Sequence, residues 1–408
     1  MPTTSPLGLR TIHVRPSHPD FLDLPWHLPL SGWDGVCPRL VEVERGLSRH
    51  EVRFVSYPEG IYAIKELPAE GGEREYDLLR GLERRRLPAV LAVGHAMLRA
   101  AGGEGGDSSV LITRFLEASV PYRTLFMNPG LERYRERLLD AIAGLIVRLH
   151  LAGFYWGDCS LSNALFRRDA GELQACLVDA ETSRFADALT DNERRQDLLI
   201  MTENVAAELT DLSARFELPS GLGIHETGTS IRERYERLWD EITREETLAL
   251  DEGYRIHERI RALNELGFSV GEVELVPVAE GNALRVRTLV TDRLYHHHLL
   301  HSLTGIVARD RQAALMVSEI REMRALLARE LGRDVPMSEA AHRWRHERFQ
   351  PATQRLQPLV TENADLAELY CQVLEHKWFL SERERHDVGF ERALEDYVRH
   401  AEGAAPTA

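Results

Sequence analysis

Six residues of this chain could do chemistry by their type and spacing: Lys65, Glu75, Asp158, Asn163, Asp179 and Glu181. Lys65 lies in Tyr62-Ala63-Ile64-Lys65-Glu66, where the apolar alternation predicts a strand. Glu75 follows on a helix expected over 73–82, placed to pair with the lysine. Asp158 opens and Asn163 closes the loop Asp158-Cys159-Ser160-Leu161-Ser162-Asn163, and Asp179 ends the apolar run Leu177-Val178. A fixed ammonium, a carboxylate able to take a hydroxyl proton and a set of hard oxygen donors suit phosphoryl transfer. Its metaphosphate-like transition state needs positioned positive charge and little covalent help. Lys65 would contact the α/β-phosphates of a nucleotide, and Glu75 would hold its ammonium in place. Asp158 would orient the attacking hydroxyl. Asn163 and Asp179, with Glu181 as an added carboxylate, would hold Mg²⁺.

Taken singly, each residue has a plain structural reading. Lys65 is then a solvated strand residue, Glu75 a surface helix residue with Glu73 as its competitor, Asp158 a turn cap and Asp179 a cap for the next segment. Their conjunction, in this chain order and on these elements, is what points to chemistry. Composition adds weight to Lys65. Only two of the fifty basic residues are lysine, Lys65 and Lys377. In a chain so biased to arginine, a surviving lysine suggests that its compact ammonium is needed.

The elements that must position these groups follow from periodicity. Strands are expected over Leu40–Val43, Val52–Val55, Ile61–Ile64, Val90–Val93 and Val110–Phe115, with Gly102–Gly106 as a hairpin connection. Leu138, Leu139, Ile142, Leu145, Ile146 and Leu149 predict an amphipathic helix over 132–151, and another is expected over 193–212. A short hairpin, Ala164–Phe166 with Ala175–Val178, separates the two loops of the site. Residues 1–35 are rich in Pro and Trp and have no period, so they read as an extended segment that packs on something. Leu218–Gly228 reads as a linker. Beyond it the chain is mostly helical, with stripes at Ile231, Tyr235, Leu238 and Ile242 and at Leu315, Ile320, Met323 and Leu327. A hairpin over 273–290 interrupts the helices. Trp378 and Phe379 read as core. His297 and His301 stand one helical turn apart, without the glutamate of a zinc-protease motif, and read as a polar face.

The 408 residues carry a net charge of −15, which disfavours nucleic-acid partners and a polybasic membrane anchor. No apolar run reaches membrane-helix length, and the first twenty residues have no signal-type apolar core. Four scattered cysteines without CxxC spacing read as reduced thiols. A cytoplasmic protein without a transmembrane segment is expected.

Leu149-His150-Leu151-Ala152-Gly153-Phe154-Tyr155-Trp156-Gly157-Asp158 is similar to the L-H-x-x-G-x-x-H-G-D of the lipopolysaccharide (Kdo/heptose) kinase family, and residues 36–215 resemble that family. It is a branch of the protein-kinase-like fold close to the aminoglycoside phosphotransferases. Over nearly its full length the chain also resembles an uncharacterised bacterial family that joins such a domain to a helical C-terminal domain of unknown function. HPDFLDLPW, RLHLAGFYWGDCSLSNALFRRDAG, LVDAETS, ERIRALNELGF and HKWFLSERERHDVGF carry that likeness. The resemblance implies an α+β fold: a bilobal kinase-like domain with a small β-rich N-lobe and a helical C-lobe, then a mostly α-helical domain with a β-hairpin. The expected boundaries are an extension over 1–35, the kinase-like domain over 36–217, a linker over 218–230 and the helical domain over 231–408. The implied cofactors are ATP and Mg²⁺. The implied acceptor is a hydroxyl of a sugar-containing small molecule or glycolipid precursor, with a protein as an alternative acceptor.

The chain also departs from a protein kinase. Trp156-Gly157 replaces His-Arg before the aspartate, which removes the cation that would pair with an activation-loop phosphate. Asp179-Ala180-Glu181 stands in place of D-F-G. The first turn, Glu44–His50, has one glycine where three are expected, so Ser48, Arg49 or His50 would have to grip the phosphates. These departures leave a pseudokinase acting as nucleotide sensor or scaffold, or an AMP transferase on the same fold, as alternatives.

Overall fold

The structure, a computed structural model, describes residues 7–43, 49–100, 107–117, 119–127, 133–169, 172–216, 223–244, 246–249, 262–263, 269–277, 283–292, 295–361 and 365–403. The chain divides into two compact units: Met1–Arg167 with Gln174–Leu238, and Arg168–Leu173 with Trp239–Ala408.

The first unit begins with an antiparallel sheet of five strands, β1 (Leu7–Val14), β2 (Val52–Tyr57), β3 (Gly60–Pro68), β4 (Leu91–Ala100) and β5 (Ser108–Arg114), in the order β1-β4-β5-β3-β2. Alternation assigns each residue its face. Tyr62 and Ile64 of β3, Val110 and Ile112 of β5, and Val93, Ala96 and Leu98 of β4 share one core with Phe21, Leu24, Trp26, Leu30 and Trp33. The last five come from the Pro- and Trp-rich N-terminal segment, which packs as expected. Its indoles are satisfied by backbone: Trp26 Nε1 donates to Phe21 O at 2.8 Å and Trp33 Nε1 to Leu28 O at 3.2 Å.

One expectation fails here. Residues 7–14 form the edge strand β1, where no strand period is visible in the sequence. A bulge between Leu9 and Thr11 shifts the phase, so that Leu9, Ile12 and Val14 all reach the same core at uneven spacing. Conversely, the strand expected over Leu40–Val43 reduces to a single bridge from Leu40 to Val55.

Helix α1 (Gly71–Arg84) packs on the other face through Tyr76, Leu79 and Leu82. It approaches closely because residue 72 is glycine. The Gly72 N–H donates to Ser109 Oγ at 2.8 Å, and a Cβ there would lie 2.9 Å from that oxygen and 3.0 Å from Val110 O.

The rest of the unit is mainly helical: α2 (Tyr122–Met127), α3 (Arg133–Leu151), α4 (Asp191–Ser213) and α5 (Ile224–Thr243). Short strands complete it: β6 (Ser119–Pro121), β7 (Phe154–Tyr155), β8 (Ala164–Asp169), β9 (Glu172–Leu177) and β10 (Arg184–Phe185). They form a β6-β8-β9 sheet and a β7-β10 ladder. Helix α4 starts at a capping box, Thr190 with Glu193. A parallel bridge from Ala89 to Leu177 ties the end of β9 to the approach of β4, which brings the residues after β9 against the sheet.

The linker expected over 218–230 is helical from Ile224 onward. The apolar stripe of Ile231, Tyr235 and Ile242 runs back into it, and Gly228 marks a packing contact: a Cβ there would lie 3.0 Å from Thr202 Cα.

The second unit holds a three-stranded sheet, β11 (Glu246–Ala249), β12 (Ser269–Pro277) and β13 (Ala283–Asp292), ordered β11-β13-β12. The expected hairpin therefore gains a third strand, while its turn lies outside the described residues. Helices α6 (Tyr295–Thr304), α7 (Asp310–Leu331), α8 (Met337–Trp344), α9 (Gln350–Leu356), α10 (Leu366–Glu384) and α11 (Phe390–Gly403) follow. Met316, Val317, Ile320, Trp344, Leu356, Tyr370 and Val373 form their core.

Two expectations are corrected in this unit. Leu315 is partly exposed although Ile320, Met323 and Leu327 are buried. Trp378 and Phe379, read as core, are 59% and 45% exposed, because the buried stripe of α10 runs through Leu369, Tyr370, Val373 and Leu380 and misses them. The four cysteines are buried and form no disulfide, and among the described residues no helix is long and apolar enough to cross a membrane.

Candidate active site

Strand β3 and helix α1 bring Lys65 and Glu75 together. Lys65 Nζ lies 3.0 Å from Glu75 Oε2 and 2.7 Å from Asp179 Oδ2. Glu75, not Glu73, is the partner: Glu75 is 1% exposed and Glu73 points to solvent. The Glu75 carboxylate also accepts the Ala180 N–H at 3.0 Å, which joins α1 to the loop after β9. Asp179 Oδ1 accepts the Glu181 N–H at 3.0 Å and so fixes the carboxylate's plane.

One ammonium thus faces two carboxylates. Burial opposes charge on Lys65, but Glu75 and Asp179 outweigh it and raise its pKa above the ordinary lysine value. Burial, aided by the Asp179 charge, raises the Glu75 carboxyl to about 7 against the pull of Lys65. Asp179 is also desolvated, yet Lys65 and the Glu181 N–H hold its pKa below the usual carboxylate range.

The second half of the site is the loop after β7. Asn163 Nδ2 donates to Asp158 O at 3.0 Å and to Asp158 Oδ2 at 3.1 Å, which leaves the amide carbonyl of Asn163 as an oxygen donor. Asn163 O accepts the Val178 N–H at 3.0 Å, and Trp156 Nε1 donates to Asp179 O at 3.2 Å. These bonds lock the Asp158–Asn163 loop to the Asp179 loop. Thr182 and Ser183 hydroxyls both donate to Trp156 O, at 3.1 and 2.8 Å. Ser160 and Ser162 serve as loop hydrogen-bonders, as read: Ser160 Oγ accepts the Asn163 N–H at 3.1 Å.

Helix α4 supplies residues that sequence reasoning missed. Asp197, fully buried, accepts the N–H groups of Trp156 and Gly157, both at 2.8 Å, and faces His150 Nε2 at 3.1 Å. Asn204 Nδ2 donates to Asp158 Oδ1 at 2.9 Å and to Cys159 O at 3.1 Å. Glu208 accepts Leu161 N–H at 2.9 Å and Ser162 N–H at 2.8 Å. Burial raises the Glu208 pKa against these bonds. A signal was present: Asp197, Asn204 and Glu208 each directly precede a member of the buried stripe, Leu198, Val205 and Leu209.

The turn expected to grip phosphates is described only in part. Ser48 lies outside the described residues. Arg49 is mostly exposed, with its guanidinium 3.9 Å from Asp158 Oδ2, and His50 Nε2 lies 2.8 Å from Glu181 Oε2. Glu181 is therefore engaged by His50. The donors fit a hard cation: the carboxylates of Asp179 and Glu181 and the Asn163 amide oxygen are all oxygen ligands. His297 and His301 are stacked at 6.5 Å, and His297 Nδ1 bonds to Ala308 O, in keeping with a polar face.

Residues 60–215 match the model of the lipopolysaccharide kinase (Kdo/WaaP) family, and residues 237–401 match a domain of unknown function (DUF4032). No functionally curated protein matches the chain. Among solved structures, WaaP in complex with acyl carrier protein is similar at 16% identity and TM-score 0.37, over 62% of this chain and 98% of that one. An aminoglycoside-3'-phosphotransferase of type VIII is similar at 17% identity and TM-score 0.33, over 49% and 86%. Two matched regions thus follow one another along the chain, one similar to the lipopolysaccharide kinase family and one similar to the domain of unknown function.

Proposed function

We propose that the protein is an ATP- and Mg²⁺-dependent phosphotransferase acting on a hydroxyl of a sugar-containing small molecule or glycolipid precursor. The observation that carries this reading is the Lys65 ammonium held between Glu75 and Asp179, next to a loop that presents Asp158 and the Asn163 carbonyl. Lys65 would bind the α/β-phosphates, held in register by Glu75. Mg²⁺, when bound, would neutralise charge developing on the transferred group, with Asp179, Asn163 and Glu181 as its holders. Asp158, fixed from both sides by the amides of Asn163 and Asn204, would orient the acceptor hydroxyl and take its proton. Arg49 and Ser48, neighbours in the first turn of the sequence, would meet phosphate oxygens. The family match supports the phosphotransferase class, and the acceptor is inferred from that family.

The reading is tested by calorimetric titration of ATP with and without Mg²⁺, in wild type and in Asp179→Ala. Binding that requires both Mg²⁺ and Asp179 is expected. Asp158→Asn should then keep ATP affinity while losing transfer. Binding indifferent to Mg²⁺ and to Asp179 would instead favour the pseudokinase. Adduct masses on the acceptor, about 80 Da for phosphoryl and about 329 Da for AMP (from the composition of the two groups), separate the two transferases.

A further inference from the structure

The second unit carries a cluster that the phosphotransferase reading does not use. Helices α10 and α11 form an antiparallel hairpin, shown by the side-chain pairs Gln372 with Tyr397, His376 with Asp396 and Glu384 with Arg392. On this hairpin His376 Nε2 lies 2.8 Å from Asp396 Oδ2, and His400 Nδ1 lies 3.4 Å from the same oxygen. The ligand atoms of all three residues lie within 4.8 Å of one another. Asp396 and His400 are one turn apart on α11, so both face α10. His376 is held by the edge of the Tyr397 ring at 5.9 Å, and Tyr397 is itself anchored by its hydroxyl on Gln372 at 2.5 Å.

We infer that His376, Asp396 and His400 form a binding site for a divalent transition metal of the Zn²⁺ class. A His–Asp ion pair needs one imidazole, whereas here two from different helices converge on one carboxylate oxygen. Tetrahedral zinc with bonds of about 2.1 Å places its ligands about 3.4 Å apart, within the separations found here. Two imidazole nitrogens and one carboxylate select a borderline-soft cation over Mg²⁺, whose preference is for oxygen ligands alone. His400 is 72% exposed, which leaves the fourth position open to water. On binding, His400 Nδ1 gives up its 2.8 Å contact with Asp396 O. Two histidine pairs that stand one turn apart in this unit, His297 with His301 and His342 with His346, are not part of any three-ligand cluster among the described residues.

The test uses the full chain, stripped with chelator and dialysed against Zn²⁺ in excess Mg²⁺, so that the oxygen-rich site of the first unit is offered its own cation. Elemental analysis should find about one tightly held Zn²⁺, and Co²⁺ substitution should give the visible bands of a tetrahedral site. His376→Ala, Asp396→Asn and His400→Ala should each weaken binding by about 100-fold or more, beyond what loss of an outer partner does. His301→Ala should leave it unchanged. Should His376→Ala misfold by circular dichroism, His400→Ala, which removes an exposed ring, decides the matter. No retained metal in wild type, or equal retention in wild type and in the His400→Ala variant, overturns the assignment.

Discussion

Asp197→Asn isolates the device that holds the Asp158 loop. The native carboxylate is fully buried and takes three hydrogen bonds, two from backbone N–H groups and one from His150. Asparagine keeps the shape but has one acceptor oxygen. Its best orientation leaves that oxygen on Trp156 N–H and His150 and turns the NH₂ group against the Gly157 N–H. One charge-assisted bond, about 1.5–3 kcal/mol, is lost and a buried donor is left without a partner, at about 1–3 kcal/mol. The two overlap, so a loss of about 3 kcal/mol is expected. For a unit of this size that is a Tm lower by about 6–12 °C. The assay is urea unfolding of the full chain by tryptophan fluorescence, with hydrogen exchange of the peptide spanning 154–160. Gly157 adjoins Asp158, so transfer should fall further than folding does, by about 100-fold for a displacement near 1 Å. Stability within about 0.5 kcal/mol of wild type, with the Gly157 amide still protected, would refute the argument.

Two further outcomes follow from the same packing. Burial lowers the His150 pKa below its ordinary value against the pull of Asp197. Below pH about 6.5 the unfolded chain therefore binds a proton that the folded chain refuses. Stability should fall as pH drops from 7 to 5, by up to about 2 kcal/mol from this group alone, and His150→Gln should remove that part of the slope in urea titrations at several pH values. Gly72→Ala gains helix propensity but drives a methyl into Ser109 Oγ and Val110 O, so a net loss of about 1–2 kcal/mol is expected. Because α1 carries Glu75, ATP affinity measured by calorimetry should weaken in parallel; an unchanged affinity would mean that α1 does not set the lysine.

The pieces of the kinase-like site could be read from the chain because each has a local signature. Lys65 sits in an alternating strand, Glu75 on an amphipathic helix, Asp158 and Asn163 at fixed spacing. The choice of Glu75 over Glu73 needed three dimensions, since only the helix phase relative to β3 buries one and exposes the other. Strand β1 escaped because its bulge breaks the period on which strand recognition depends. Asp197, Asn204 and Glu208 escaped because a polar residue beside an apolar stripe looks like an ordinary boundary of a helix face. Its meaning lies in a loop some forty residues away. The aromatic pair Trp378 and Phe379 was misread for the converse reason: size and hydrophobicity were weighed without the phase of α10.

The grip of α4 on the loop falls almost wholly on main-chain atoms: Asp197 takes the N–H groups of residues 156 and 157, and Glu208 those of 161 and 162. Apart from Asn204, which holds the Asp158 carboxylate itself, the loop's shape thereby rests on residues other than those proposed to react. A lineage could exchange Asp158 and lose turnover while the loop kept its path, or alter residues near it and try new acceptors without unravelling the scaffold. On the proposed reading, the same arrangement would put a silent, merely nucleotide-reading form a short evolutionary step from an active one, with the α4 contacts to the backbone kept in both.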